Sequence, residues 1–186
     1  QSFQDYIVNN NIKINSALSG KFLEKDSKEL FLQGIDDNPY LTVFKKLKIT
    51  KKFDNDFFRD FVSSLIIKFE NEPVKNLYIN IPDFELVKDY FKNEEYYYST
   101  FIEGLFLGNY QFTKYKSDKK ELKKLNVFLV TENKKISPSL IKRTENLMKA
   151  VYLSRDLTNE IADVLTPQEL LKQAKSELNK DGVTIK

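Results

Sequence analysis

Between Asp54 and Phe69 the chain sets Phe57, Phe61, Leu65 and Phe69 four residues apart, with Phe58, Val62 and Ile66 on the adjoining row. Residues at that spacing share one face of an α-helix, so the segment predicts a helix with a broad apolar stripe. A stripe that wide is stable only when another element covers it. Asp54, Asn55 or Asp56 can cap the start, and Pro73 lies just past the end. With 15 Phe and 10 Tyr but no Trp, the core is expected to be rich in single rings.

The rest of the chain alternates β-type runs with helical spacing. Segments 30–34, 40–49, 77–81 and 127–130 read as strands, the third closed by Pro82. Segment 84–91 has helical spacing. Segment 96–107 reads as an apolar helix that contains Gly104 and stops at a Gly108 cap. A long helix over 138–157 is opened by Ser137 and Pro138, with a stripe of Leu140, Ile141, Thr144, Leu147, Met148 and Val151. A last helix over 167–180 starts with Thr166 and Glu169 as a capping box and stops at Gly182. Residues 183–185 then begin a β-type run, read as the opening of a second domain. Strands alternating with helices define an α/β layered fold.

Composition removes much chemistry. The chain has no Cys, which excludes a disulfide scaffold, thiolate zinc sites and a cysteine nucleophile. It has no His, which excludes histidine metal sites and the Ser-His-Asp triad. Carboxylate, lysine and backbone chemistry remain. No signal peptide opens the chain and no apolar run reaches membrane-spanning length, so a cytoplasmic protein with no membrane partner is expected. Net charge is +3, from 30 basic and 27 acidic residues. That excess is too small and too interspersed to point to nucleic acid.

Four stretches could carry chemistry, and each has a plainer explanation. None of the five glycines stands in a phosphate-loop pattern. Lys114 to Lys124 is the most basic run, but two acids interrupt it and a solvated loop accounts for it. Asp36 and Asp37 could hold a hard cation, yet Asp-Asn-Pro is turn-forming. Glu94 and Glu95 suit the positive end of a helix whose Tyr96, Tyr97 and Tyr98 pack inward. Arg155 and Asp156 read as an ion pair orienting the end of the long helix, not a catalytic pair. No catalytic, metal-binding or cofactor-binding residue is assigned.

Two segments together resemble the leucyl aminopeptidase (cytosol aminopeptidase) family. The first, Gly104-Leu105-Phe106-Leu107-Gly108-Asn109-Tyr110-Gln111-Phe112-Thr113-Lys114-Tyr115-Lys116, follows the family's G-x-x-L-G-x-Y-x-F-x-x-Y-K. The second runs from Val151 through Arg155-Asp156-Leu157-Thr158-Asn159 to Thr166-Pro167 and follows its R-D-L-x-N-x-P-x-N-x-x-T-P connector. The family's Pro is Ile161 in this chain, and its second Asn is Asp163. The resemblance covers about residues 97–184.

The resemblance implies an amino-terminal, non-catalytic α/β domain over 1–136, with a macro-domain-like mixed sheet flanked by helices. A connector helix over 137–165 and the start of a catalytic domain over 166–186 would follow. The parent would be a metallo-aminopeptidase (a hydrolase) that removes amino-terminal residues from peptides with two divalent metals, Zn or Mn. It would assemble as a homo-hexamer, which this domain supports. The family's metal-binding string, similar to N-T-D-A-E-G-R-L, is absent from this sequence, so no metal or catalytic residue carries over. The residues expected to matter are structural: Gly104, Gly108, Tyr110, Phe112, Tyr115 and Lys116, then Arg155, Asp156, Asn159 and Pro167 at the domain junction. The partners implied are the chain's own catalytic domain and peptide substrates. The alternatives are a nucleic-acid-binding module, disfavoured by only three Arg, and a macro-domain-like binder of ADP-ribose, disfavoured by the missing glycine loop. An apolar face left uncovered predicts weak self-association.

Overall fold

The structure is a computed structural model, and it describes residues 8, 16–24, 28–33, 41–69, 72, 74–117, 125–130 and 136–180. The strand expected over 183–185, the Asp36–Asp37 pair and most of the basic run after Ser117 lie outside the described residues.

In chain order the elements are α1 (Ser16–Leu23), β1 (Glu29–Gln33), β2 (Leu41–Lys45), α2 (Asn55–Phe69), β3 (Asn76–Asn80), α3 (Glu94–Asn109), β4 (Asn126–Val130), α4 (Pro138–Asn159) and α5 (Pro167–Lys180). The protein is therefore a mixed α/β structure. The stripe on α2 is real, but it is centred on the second row. Phe58, Val62 and Ile66 are buried, as is Phe69 at the end of the first row, whereas Phe57 is 39% exposed. Asp54 caps this helix by accepting from the Phe57 N–H at 2.7 Å.

What covers the stripe is α3. Its two glycines explain the choice of row. A β-carbon at Gly104 would lie 2.8 Å from Val62 Cβ, and one at Gly108 would lie 2.5 Å from the Ser63 carbonyl oxygen. The helices therefore cross at a distance only glycine allows, and Ser63 Oγ donates to the Gly104 carbonyl at 2.8 Å. Gly108 is thus a packing residue inside α3 and not the cap expected of it. The helix runs one residue further, and Tyr110 ends it. Around the crossing, Phe58 is fully buried between Phe91, Phe101 and Tyr97, with Tyr97 stacked at 5.3 Å. Each ring so buried contributes about 1.5–3 kcal/mol.

Tyr97 donates its hydroxyl to the Pro82 carbonyl at 2.7 Å, which satisfies a buried polar tip; burial pushes its phenol well above the usual range. Asn93 caps α3 by accepting from the Tyr96 N–H at 2.8 Å, and Glu94 and Glu95 occupy its first turn. Tyr97 and Tyr98 pack inward as expected.

The strands make two separate two-stranded sheets among the described residues, not one mixed sheet. Strands β1 and β2 are antiparallel, with Phe31 opposite Val43. Strands β3 and β4 are parallel, with Tyr78 opposite Phe128, because α3 lies between them in sequence and provides the crossover. Leu77, Ile79, Val127 and Leu129 pack on the core, whereas Tyr78 and Phe128 stack on each other at 4.8 Å on the exposed face. Strand β2 stops at Lys45, short of the expected 49, and Lys48 to Thr50 are exposed. Segment 84–91 is two short 3-10 turns, Phe84–Leu86 and Lys88–Tyr90, not a helix. Val87 breaks it, with φ −133° and ψ 5°, outside the helical region.

Helix α4 starts on Ser137, whose hydroxyl accepts from the Leu140 N–H at 3.1 Å. It buries Leu140, Thr144 and Met148 against α3. Ile141 and Leu147, assigned to the same stripe, are 40% and 54% exposed, since among the described residues α3 is the element that packs extensively on this helix and the buried stripe is narrower. Helix α5 begins at Pro167 with Thr166 accepting from the Glu169 N–H at 3.3 Å. Its Leu170, Leu171 and Leu178 are exposed.

Candidate functional site

The most developed polar cluster lies where the segment after α3 meets the end of α4. Tyr152, Arg155, Asp156 and Asn159 fall at i, i+3, i+4 and i+7, so all four share one face of α4. That face meets Tyr110. The Tyr110 hydroxyl donates to Asp156 Oδ1 at 2.8 Å and accepts from Asn159 Nδ2 at 3.0 Å. The Arg155 guanidinium lies 5.1 Å from the centre of its ring, and the Tyr152 ring packs on it at 5.1 Å. Tyr152 in turn donates its hydroxyl to the Phe106 carbonyl. Arg155 and Asp156 therefore both meet Tyr110, which corrects the expected ion pair between them.

One step further along, Lys114 and Tyr115 converge on Glu160. Lys114 Nζ lies 2.5 Å from Glu160 Oε2, and the Tyr115 hydroxyl donates to Oε1. The same carboxylate accepts from the Ile161 N–H at 3.3 Å. The Glu160 side chain is only 9% exposed, although that of Lys114 is 50% exposed. Hydrogen bonds first from Lys114 and then from Tyr115 hold the Glu160 carboxyl below the usual carboxylate range. The same pairing raises Lys114 and the Tyr115 phenol above theirs. Phe112 packs its ring on Tyr115 at 5.9 Å. Lys116 closes a turn through its N–H to the Thr113 carbonyl at 3.1 Å, and its side chain is exposed.

The structure thus brings Tyr110, Arg155, Asp156 and Asn159 together, and places Phe112 and Tyr115 beside them. Gly104 and Gly108 serve the α2–α3 crossing instead, and Pro167 opens α5. Sequence reading did not single out Glu160 or Tyr152, and it read Lys114 only as the start of a solvated basic run. The helical spacing of Tyr152 to Arg155 and Asn159 could have found Tyr152. A depression of about 350 Å³ opens beside the cluster, lined by Tyr110, Ser154, Arg155, Thr158 and Asn159. A larger groove of about 670 Å³ runs between the starts of α3 and α4. In it Arg143 bonds Glu95 at 2.6 Å and Tyr98 donates to Glu94 at 3.3 Å.

All three arginines are engaged within the chain. Arg59 bonds Glu103 at 2.6 Å and Asp56 at 2.7 Å, Arg143 bonds Glu95, and Arg155 covers Tyr110. Among the described residues no group of three or more acidic residues is placed to hold a metal ion. No described helix is long and apolar enough to cross a membrane.

Fold and cluster together define a mixed α/β protein whose main polar constellation joins its body to the end of a long helix. Its relatives are specific. A probable cytosol aminopeptidase of Treponema denticola is 29% identical over 178 residues, 95% of this chain and 35% of that protein. Another, from Clostridium tetani, is 32% identical over 124 residues, 65% of this chain and 24% of that protein. The cytosol aminopeptidase of Rickettsia prowazekii is 31% identical over 90 residues, 47% of this chain and 18% of that protein. The chain is thus similar to the leucyl (cytosol) aminopeptidase family, mostly through the amino-terminal region of its members. It spans about a third of the first relative's length or less. No family model matches. Among solved structures, the bottromycin maturation enzyme BotP superposes with a TM-score of 0.67 at 17% identity, over 92% of this chain and 36% of that one, which speaks to the fold alone.

Proposed function

We propose that the chain is the non-catalytic, assembly or regulatory amino-terminal domain of a metal-dependent leucyl aminopeptidase in the cytoplasm. Residues 1–136 form that domain, with a macro-domain-like fold. Residues 137–165 are the connector, and 166–186 begin the catalytic domain. The observation that carries this is the near-complete coverage of the chain by the Treponema denticola relative, with about two thirds of that relative left over. The exposed Leu170, Leu171 and Leu178 on α5 support it, since an amphipathic helix needs a cover. A catalytic domain following this one would supply that cover, and the two divalent metals it would hold would provide Lewis-acid chemistry for peptide hydrolysis. This domain contributes no reacting group. It supports the hexamer and holds the connector.

The test is to express the natural reading frame extended past Lys186 and assay it with Mn or Zn on a leucine anilide. Metal-dependent release in the extended protein, with none from residues 1–186, is the expected result. A reading frame that stops at Lys186, or an extension without the N-T-D-A-E-G-R-L-like string, overturns the proposal.

A further inference from the structure

The described structure leaves α5 with little to hold it in place. It has no extensive contact with another described element, and its leucines face solvent. Among the described residues its main tie to the rest of the chain is the segment 160–166, which links it to α4. Within that link the backbone makes one turn, from Val164 and Leu165 N–H to the Ile161 carbonyl, both at 3.0 Å. Ile161 and Val164 are 48% and 41% exposed, so apolar packing does not fix the link. Glu160 is different. It caps α4 through its N–H to the Leu157 carbonyl at 3.4 Å, and its side chain is 9% exposed and tied to Tyr115 and Lys114. Those partners lie 45 and 46 residues earlier, on the segment that follows α3.

We infer that Glu160 is a positioning residue: its anchorage on Tyr115 and Lys114 sets the direction in which the chain leaves α4, and so where α5 lies. The neighbouring bonds of Tyr110 to Asp156 and Asn159 hold the last turn of α4 itself. Glu160 is the next residue, the first of the link, and its carboxylate also accepts from the Ile161 N–H. Losing it frees the link while leaving the helix clamped. The inference rests on this chain alone and does not depend on aminopeptidase activity.

The absence of cysteine makes the test direct, because introduced thiols are the sole labelling sites. Spin labels at Asn146→Cys and Lys175→Cys, both exposed, report the α4–α5 geometry in the 186-residue chain. A second pair at Lys92→Cys and Asn146→Cys reports the body. By double electron–electron resonance the parent is expected to give one narrow 146–175 distance. Glu160→Ala is expected to make that distribution about twofold wider, as for a freely jointed link, with the 92–146 distance unchanged. Tyr115→Phe moves the same way by less. Glu160→Gln, which still accepts from Tyr115, recovers part of the narrow component. Three results overturn the inference: a broad 146–175 distribution already in the parent, an unchanged width in Glu160→Ala, or equal broadening of both pairs, which makes Glu160 a folding residue.

Discussion

Gly108 lies so close to Ser63 that a β-carbon on it would fall 2.5 Å from the Ser63 carbonyl oxygen and 2.9 Å from Ser63 Cα. Both neighbours are backbone and cannot rotate away. Alanine would add about 1 kcal/mol of helix propensity, but forcing α2 and α3 apart costs about 1–3 kcal/mol and disturbs the whole crossing. Gly108→Ala is therefore expected to lower the urea midpoint at constant slope. A midpoint equal to or above the parent's would show that the helices do not meet as closely as described.

Phe58 is fully buried and touches Phe53, Phe91, Tyr97 and Phe101. Four rings closing around one side chain cannot collapse easily into the space it leaves. Phe58→Ala is expected to cost about 3–5 kcal/mol, against a smaller loss for Phe57→Ala, which is 39% exposed and packs on one ring, Phe53. Chemical denaturation of the two variants side by side checks the ranking. Equal losses would put the wrong row of α2 in the core.

These two positions also show what the sequence made legible. The four-residue spacing of aromatics identified α2, and the Ser137 and Thr166 caps located two later helices. Which row of α2 is buried was not legible, because that choice is made by Gly104 and Gly108, roughly forty residues away. Segment 84–91 has helical spacing but follows Pro82, and Val87 leaves the helical region; eight residues are too few to overrule such a break. Ile141 and Leu147 fit a periodic stripe, yet periodicity cannot report how much of that stripe α3 covers. At the end of α4, Tyr110, Arg155, Asp156 and Asn159 meet through side-chain contacts. Glu160 stayed hidden because its partners are distant in sequence and no local pattern marks it.

Glu29 ties the β1–β2 hairpin to α2, bonded to Lys68 and lying 3.5 Å from Lys45 Nζ. The hydrogen bond from Lys68 is the main reason its carboxyl is held below the ordinary value of 4.5, against the opposing effect of burial. A carboxyl depressed in the folded state binds its proton more readily in the unfolded chain. Its stabilising contribution is therefore complete above pH 4.5 and is lost as pH falls through the lower folded value. Glu29→Gln is expected to flatten the acid limb of a stability–pH curve and to leave its shape above pH 6 to about pH 8 unchanged. An acid limb as steep as the parent's would mean the Lys68 bond does not persist in solution.

Arg59 and Glu103 join α2 to α3 beside the glycine crossing, with Nε 2.6 Å from Oε2 and side chains 21% and 12% exposed. Burial disfavours the Arg59 cation, and the hydrogen bonds it donates to Glu103 and Tyr96, together with the charge of Glu103, more than restore it, so the guanidinium stays charged. Removing Glu103 alone strands that charge in a partly buried site. Asp56, whose side chain is 88% exposed, compensates only weakly. Glu103→Ala is expected to cost about 1–3 kcal/mol, less than a fully buried pair would lose, because water still reaches one edge of Arg59. Replacing both, as Arg59→Met with Glu103→Leu, removes the stranded charge and restores apolar contact, so the double variant is expected to be more stable than Glu103→Ala alone. A double-mutant cycle read by urea unfolding separates the two effects. Strictly additive losses would show that the two side chains do not interact, and the helix crossing would then rest on Gly104, Gly108 and the aromatic core alone.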